Sequence, residues 1–379
     1  MYKKDFLDIC IYRWSSPDDI SKDKMIIKDS PQDFIVEEMP GFILKDSGDY
    51  CIYKLVKSNL NTEQAADIIC SRFHIEKKNL KYAGSKDKNA LTTQYISIYK
   101  DDKINIDEVS AGHSLKVSFI GYLDTPLSLG CLEGNNFEVI IRELGKKNLE
   151  NFSKRISGNI SDGTDTSRIV PNYFDDQRFS SNNKSIGICM LKKDFKNTIR
   201  LICEGNGRYE DKVREYILEY PTDYVGALKT MPKKILMMYL HSVQSYIFNE
   251  TLAANLKRYA EDNNIPYIST GYKEGELVFF EDMDYSGYPQ TQDIELVGFD
   301  SKVENSITST ILRGSGLTQR DFIIRSIPEL SVEGGIRKSF TEIKGFSHEK
   351  ISDIDDAIRL KFSLPKGSYA TIVIRQLFC

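Results

Sequence analysis

Features that mark disulfide frameworks, metal centres and membrane proteins are scarce in this sequence. The seven cysteines are scattered with no C-x-x-C pair, and the four histidines lie far apart without the spacing of metal ligands. No apolar run of about 18 residues occurs, and residues 1–5 lack the apolar stretch of a signal peptide. We therefore expect reduced thiols, no metal site, no membrane segment and a cytoplasmic protein.

An excess of charge of one sign is also missing, because 55 acidic residues nearly balance 51 basic ones and the net charge is −4. This balance argues against a protein that binds nucleic acid through its overall charge. Residues 72–88 differ from the rest, since six basic residues stand there against two acidic ones. The segment fits either a solvated surface or a local positive patch.

Strand-like and helix-like segments alternate over the first 150 of the 379 residues. Runs rich in β-branched and aromatic residues predict strands at residues 34–38, 50–56, 94–99, 115–119 and 137–142. Asn61 or Thr62 would cap a helix with a buried stripe formed by Ala65, Ala66, Ile68, Ile69 and Phe73. We predict a mixed, largely antiparallel sheet with helices on one side.

The character of the sequence changes between residues 185 and 330. A long amphipathic helix is predicted over residues 235–260, followed by turn-rich segments. Strand-like runs return at residues 358–364 and 369–377. This order predicts an insertion, in which residues 1–185 and 331–379 form one domain and residues 186–330 form another.

The most unusual segment, residues 81–94, places Asp87 between Lys86 and Lys88 ahead of a Thr-Thr-Gln run that leads into a strand. Flanking lysines favour the ionised carboxylate, which a nucleophile or a charge stabiliser requires. The same residues also fit an ordinary Lys-Asp-Lys surface turn. Composition alone leaves both interpretations open.

A second segment, residues 170–179, combines aromatic rings, amide groups and the guanidinium group of Arg178. Such groups hold an unstacked nucleobase and its phosphate, although clustered aromatic residues also serve core packing. Together the two segments suggest a nucleobase site without establishing one.

Ordered blocks along nearly the whole chain resemble the TruD family. Residues 83–94 resemble its G-x-K-D-x-x-A-x-T-x-Q signature, which carries the catalytic aspartate of that family. The other similar blocks are residues 28–38 (K-x-x-P-E-D-F), 61–62 (N-T), 134–137 with Arg142 (G-N-x-F), 171–179 (P-N-Y-F-G-x-Q-R-F), 244–249 in the helix of the inserted domain, and 362–371 with Arg375 in the closing strand. Asp175 departs from the pattern, because it stands where the family usually has glycine.

The resemblance implies an α+β pseudouridine synthase fold, with a mixed, largely antiparallel sheet flanked by helices and an inserted α/β domain. It also implies isomerisation of uridine to pseudouridine at position 13 of tRNA, without a cofactor. A cleft within one chain needs no partner subunit, so we expect a monomer. By position, the resemblance assigns catalysis to Asp87, the basic partner to Lys28 and the base pocket to Asn172 and Phe174.

The lysines around Asp87 would then lie near phosphates, and we assign RNA binding to Lys81, Lys86, Lys88 and Arg178. Asp87 could attack C1′ or C6 of the nucleotide, or remove a sugar proton to give a glycal-like intermediate. Phe174 could stack on the base but could not transfer a proton, so the C5 proton would need water or Asp87 as acceptor.

Two alternatives from other classes stay open. A non-catalytic RNA-binding protein could keep the same scaffold, because a fold does not fix a function. A small-molecule enzyme with a carboxylate nucleophile is the other, although the sequence has no G-x-x-x-x-G-K-[ST] loop to bind a nucleotide cofactor.

Overall fold

The computed structural model describes residues 12–14, 25–102, 108–110, 114–157, 168–179, 182–289, 293–304, 306–351 and 356–378. The chain divides into two compact units. The first unit comprises Met1–Arg168, Glu342–Ala370 and Phe378, and the second comprises Ile169–Thr341, Thr371–Leu377 and Cys379. These boundaries differ from residues 185 and 331, at which the sequence placed the domain borders, and that division stays a prediction.

The helices and strands are numbered in chain order. The α-helices are α1 (Thr62–Phe73), α2 (Gly145–Ser157), α3 (Asn183–Leu191), α4 (Phe195–Cys203), α5 (Arg208–Glu219), α6 (Tyr224–Lys229), α7 (Lys233–Asn263), α8 (Ile307–Gly314) and α9 (Ala370–Phe378). The strands are β1 (Tyr12–Trp14), β2 (Met25–Ile27), β3 (Phe34–Pro40), β4 (Tyr50–Ser58), β5 (Leu80–Tyr82), β6 (Leu91–Tyr99), β7 (Glu108–Ser110), β8 (Leu115–Leu123), β9 (Leu132–Arg142), β10 (Arg168–Pro171), β11 (Tyr267–Tyr272), β12 (Gly275–Phe280), β13 (Ile294–Leu296), β14 (Gly335–Arg337), β15 (Phe340–Lys350) and β16 (Ile358–Pro365).

The first unit is built on one large mixed sheet with the strand order β15-β16-β9-β3-β6-β4-β8-β7. Strand β3 pairs with β6 in parallel, whereas β4 pairs with β6 and β8, and β9 with β3 and β16, in antiparallel orientation. Strand β5 pairs with the end of β6 and β3 with its start. The predicted strands at residues 34–38, 50–56, 94–99, 115–119 and 137–142 and the mixed, largely antiparallel sheet are confirmed.

Helix α1 begins where its sequence predicts. The Asn61 side chain accepts a hydrogen bond from the backbone N–H of Gln64 at 2.7 Å, and the Gln64 side chain accepts one from Asn61 N at 3.0 Å. The buried stripe was predicted partly wrongly, because Ile68 is 37% exposed while Cys70 is buried. Successive residues turn by about 100° around a helix, so Ile68 lies opposite the face formed by Ala65, Ala66, Ile69 and Cys70.

The second unit contains mainly helices, with two two-stranded sheets formed by β11–β12 and β13–β14. Helix α7 confirms the long helix predicted over residues 235–260 and extends it by a few residues. Its residues Leu236, Leu240, Val243 and Ile247 recur at helical spacing and enter the core of this unit. None of the described helices is both long and apolar enough to cross a membrane.

The strand predicted over residues 369–377 is wrong, because this segment forms helix α9. Four consecutive β-branched residues, Thr371 to Ile374, gave the segment its strand-like composition. All residues of α9 are buried, so no polar face reveals the helical period. Tertiary packing overrides the local propensity here.

Candidate active site

The loop of residues 83–90 joins β5 to β6 and carries Asp87. Its two end residues, Ala83 and Ala90, are buried, whereas the Asp87 side chain is 32% exposed. The ends are anchored in the sheet, and the carboxylate in the middle keeps access to solvent.

Lys28 and Asp87 lie 59 positions apart in the sequence and form an ion pair in the structure. The Lys28 Nζ atom lies 2.6 Å from Asp87 Oδ2, and its side chain is only 3% exposed. The ammonium group also lies 4.0 Å from the centre of the Phe34 ring. Lys28 has φ = 68°, a left-handed conformation that costs a non-glycine residue about 1–3 kcal/mol.

A chain of hydrogen bonds through the buried side chains of Thr62 and Gln94 fixes the backbone before Asp87. The hydroxyl group of Thr62 accepts a bond from Lys86 N at 2.8 Å and donates one to Gln94 Oε1 at 2.9 Å. Gln94 in turn donates through Nε2 to the carbonyl oxygen of Gly84 at 3.4 Å. Thr62 opens α1 and Gln94 lies on β6, so both helix and sheet hold the loop.

Lys86 faces the interior of the first unit. Its side chain is 9% exposed, and its Nζ atom lies 3.0 Å from Glu38 Oε1 and 2.8 Å from Asn135 Oδ1. This geometry favours an internal role for Lys86 over the phosphate contact expected from sequence. Lys81 and Lys88 are exposed, as phosphate binding requires. The assignment of all three to RNA binding stays a prediction.

Lys57 on β4 belongs to the same site, although its sequence did not single it out. The ammonium group donates to the carbonyl oxygens of Leu60 at 2.8 Å, Asp87 at 3.0 Å and Lys86 at 3.4 Å. The two-residue period of the strand could have revealed Lys57 as a buried residue, because it continues the buried row of Cys51, Tyr53 and Leu55. A lysine in such a row must have internal partners.

In the second unit, Asn172 and Phe174 are both buried and firmly held. Asn172 N donates to Ser339 O at 2.7 Å, and its side-chain Nδ2 donates to Lys338 O at 3.1 Å. Phe174 N donates to Asn249 Oδ1 at 2.9 Å, while Asn249 Nδ2 donates to Phe174 O at 2.8 Å. Asn249, on α7, therefore fixes both polar groups of the Phe174 backbone.

Two guanidinium groups flank the Phe174 ring. Arg337 lies over the ring at 4.0 Å from its centre and donates to Asn172 Oδ1 at 2.8 Å. Arg178 lies 5.2 Å from the ring centre and donates through Nε to Ser245 Oγ at 3.0 Å. Arg337 was missed in the sequence, where nothing distinguishes it from other basic residues near the chain's end.

The carboxylates of Asp175 and Asp176, which follow Phe174, lie beside Arg375 on helix α9. Arg375 Nη2 lies 2.5 Å from Asp176 Oδ2, and Arg375 Nε lies 3.8 Å from Asp175 Oδ1. Burial raises the pKa of Asp175, and the charge of Arg375 opposes that shift. Asp176 also accepts a bond from Lys273 N at 2.8 Å at the tip of the β11–β12 hairpin. Segment 172–179 is thus fixed from several sides within the second unit.

The structure therefore gathers the predicted residues into two groups, each within its own unit. Asp87 and Lys28 meet in the first unit, and Asn172, Phe174 and Arg178 lie together in the second. Among the described residues, no group of three or more His, Cys, Asp or Glu side chains is arranged to hold a metal ion.

The family model and the curated relatives that match this chain all carry the same description. The family model for tRNA pseudouridine synthase D (TruD) matches residues 18–216 and 202–377. A tRNA pseudouridine synthase D from Aquifex aeolicus is 29% identical over 93% of this chain and 98% of its own length. A probable tRNA pseudouridine synthase D from Nanoarchaeum equitans is 31% identical, with 93% of this chain and 98% of that protein covered.

The fold has a counterpart among solved structures. The crystal structure of a putative tRNA pseudouridine synthase D from Methanosarcina mazei matches with a TM-score of 0.61 at 22% identity, covering 93% of each chain. This match supports the fold, and the family model and the relatives above place this chain among the pseudouridine synthases, which are isomerases. The chain belongs to the TruD family. The resemblance and the α+β fold expected from sequence are confirmed.

The hydrogen bonds of Thr62 give a test of how firmly the loop is held. In Thr62→Val the part-buried N–H of Lys86 and the buried side-chain amide of Gln94 each lose a partner, so we expect the free energy of unfolding to fall by about 1–3 kcal/mol. Thr92→Val is the matched control, because Thr92 is fully buried and its hydroxyl has no hydrogen-bond partner in the described part of the chain. Urea unfolding measures both; equal losses would contradict the assigned network.

Proposed function

We propose that this protein is a tRNA pseudouridine synthase that isomerises uridine at position 13 of tRNA, with Asp87 as the catalytic residue and no cofactor. The observation that carries the proposal is the ion pair of the part-exposed Asp87 with the buried Lys28, at 2.6 Å. The positive charge of Lys28 favours the carboxylate form of Asp87. A carboxylate held in this way can act as a nucleophile or as a base.

The reaction breaks the N1–C1′ bond, turns the base and joins C5 to C1′, so it requires neither an oxidant nor a donor. Asp87 starts it in one of two ways. It attacks C1′ to form an acylal or C6 to form a Michael adduct, or it removes a sugar proton to form a glycal. In each case the carboxylate must reach the nucleotide, which the 32% exposure of its side chain allows.

We further propose that Asn172, Phe174 and Arg337 form the surface that receives the extruded base. The Phe174 ring is 5% exposed and lies under the guanidinium group of Arg337, which is half-buried. Aromatic rings and arginine planes both stack on unpaired bases. Phe174 would then support Arg337 as a stacking platform, and the Asn172 backbone and side chain would fix the guanidinium in its plane.

Phosphate contacts are proposed for Lys81, Lys88 and Arg178, with a smaller share for the buried Lys86. The exposed lysines would attract the RNA and contribute a salt-dependent affinity. A monomeric state and a cytoplasmic location stay predictions, as does the domain division made from the sequence.

Asp87→Asn tests the central proposal. The substitution keeps the size of the side chain and removes its charge, so we expect no pseudouridine and an affinity for tRNA within about threefold of wild type, because the lysines that carry the affinity are unchanged. Pseudouridine is mapped in unmodified tRNA transcripts by carbodiimide labelling and primer extension. Asp49→Asn, an exposed aspartate of the same unit, serves as the control.

Equal product from wild type and Asp87→Asn would show that Asp87 is not catalytic. A wild-type protein that binds tRNA but modifies no transcript would favour a non-catalytic RNA-binding protein on the same scaffold.

Phe174→Leu tests the base platform while keeping an apolar side chain. A desolvated cation–π contact is worth about 2 kcal/mol, so loss of the ring that supports Arg337 should lower turnover about tenfold or more with little change in RNA affinity. Phe179→Leu makes the same change at a fully buried ring of the same segment and should cost stability but not turnover. Single-turnover rates and filter binding measure the two effects. An unchanged rate in Phe174→Leu would place the base elsewhere.

Salt dependence tests the phosphate contacts. Replacing Lys81 and Lys88 by glutamine removes two cationic contacts, so the slope of log K against log salt should decrease by about 1.4–1.8. The double change Lys146→Gln and Lys154→Gln removes two exposed lysines of α2 and should leave the slope unchanged. Filter binding over a range of potassium chloride concentrations gives both slopes. The same slope for the Lys81 and Lys88 variant as for wild type would contradict the assignment.

A further inference from the structure

Lys57 is a fully buried lysine near the end of an interior strand of the largest sheet. It lies on β4, which pairs with β6 on one side and β8 on the other, and its side chain is 1% exposed. The preceding members of its row, Cys51, Tyr53 and Leu55, are 0% exposed and form the core with α1. Placing a charged group in this row is costly unless its donors are satisfied.

All three donors of the ammonium group have carbonyl partners. These are the oxygens of Leu60, Asp87 and Lys86, at 2.8, 3.0 and 3.4 Å. Leu60 lies between β4 and α1, whereas Lys86 and Asp87 belong to the loop between β5 and β6. The ammonium group of Lys57 thus links strand β4 to the carbonyl groups of Lys86 and Asp87, which lie on either side of the Asp87 side chain in the backbone.

We propose that Lys57 is a positioning residue for the isomerisation, which holds the backbone of Lys86 and Asp87 so that the Asp87 carboxylate keeps its place beside Lys28. This inference rests on the proposed function of Asp87. Lys57 touches the carbonyl oxygen of Asp87 and not its carboxylate, so it acts through the loop. Its contribution differs from that of Lys28, which contacts the carboxylate directly.

Burial lowers the pKa of Lys57 to about 8, the charge of Asp87 opposes this shift, Lys86 adds to it and Glu38 opposes it. Lys28 also contacts Asp87, through the ion pair with its carboxylate. Deprotonated Lys57 keeps two N–H donors and gains a lone pair, so it can no longer satisfy three carbonyl oxygens. Alkaline solution should therefore loosen the loop.

The effect on global stability has the opposite sign. Between pH 8 and 10.5 the unfolded chain retains a proton on Lys57 that the folded protein has released, so this group adds stability as the pH rises. A fall in turnover above pH 8 through Lys57 would thus occur without a loss of folding stability from the same group. This separates loop positioning from general unfolding.

The test compares wild type, Lys57→Met, Lys57→Arg and the control Lys54→Met in single-turnover assays on tRNA transcripts. Lys54 lies on the same strand and is 40% exposed, paired with Glu37 at 3.2 Å. A catalytic group displaced by about 1 Å can lose about 100-fold in rate, so we expect Lys57→Met to slow the reaction about 10–100-fold with unchanged tRNA affinity. Lys54→Met should react like wild type.

A pH series from 6.5 to 9.5 supplies a readout that a purely structural role would not affect. The wild-type rate should fall above pH 8, and Lys57→Arg, whose charge persists, should keep its rate to higher pH. A wild-type rate that stays constant to pH 9.5 would overturn the inference even if the variants did not fold, as would a Lys57→Met rate equal to that of Lys54→Met.

Two further readouts separate this inference from the proposed function. If wild type forms pseudouridine and Asp87→Asn does not, an unaffected Lys57→Met refutes only the role of Lys57. If wild type forms none, hydrogen exchange at pH 7 still tests the positioning, because amides of residues 84–88 should exchange faster in Lys57→Met than in Lys54→Met. Equal exchange would overturn it.

Discussion

An ammonium group inside a protein must be surrounded by anions or carbonyl oxygens, and the loop that carries Asp87 meets this constraint three times. Lys28 contacts the Asp87 carboxylate, Lys57 contacts the backbone on either side of it, and Lys86 contacts Glu38 on β3. Each cation lies at 9% exposure or less, so water cannot replace a lost partner. The position of Asp87 therefore follows from the charge balance of the surrounding sheet.

Hydrogen bonds that support the Asp87 loop explain why the TruD-like segment of residues 83–94 extends well beyond Asp87. Gln94 lies seven residues later, yet it binds the Gly84 carbonyl oxygen and, through Thr62, the N–H of Lys86. The Asn61–Thr62 pair contributes twice, because Asn61 caps α1 and Thr62 reaches back to the loop. Blocks that are separate in the sequence are thus parts of one hydrogen-bonded support.

Much of the fold of the first unit could be predicted from the sequence, because the local sequence signals for its strands and for helix α1 are strong. Buried and more exposed residues alternate along strands such as β4, and the helix cap at Asn61 depends on Gln64, only three residues away. Helix α9 could not be recognised, because every residue of it is buried and its composition suits a strand. Lys57 and Arg337 were missed for another reason, since their importance depends on carbonyl oxygens and an aromatic ring distant in sequence.

Asp175 stands where the TruD pattern usually has glycine, and its surroundings show how this chain accommodates the carboxylate. Asp175 is not among the described residues with positive φ, so the glycine usual in the family is not required here for its backbone freedom.

The carboxylate of Asp175 is costly to bury, because the residue is only 1% exposed. Arg375 lies beside both Asp175 and Asp176 and supplies the opposing charge from α9. Because the same arginine also donates to the carbonyl oxygen of Gly271 at 2.6 Å, the added carboxylate is balanced by a residue already fixed by other contacts. Asp175 thus adds a carboxylate to segment 172–179, in which Asn249 holds the Phe174 backbone.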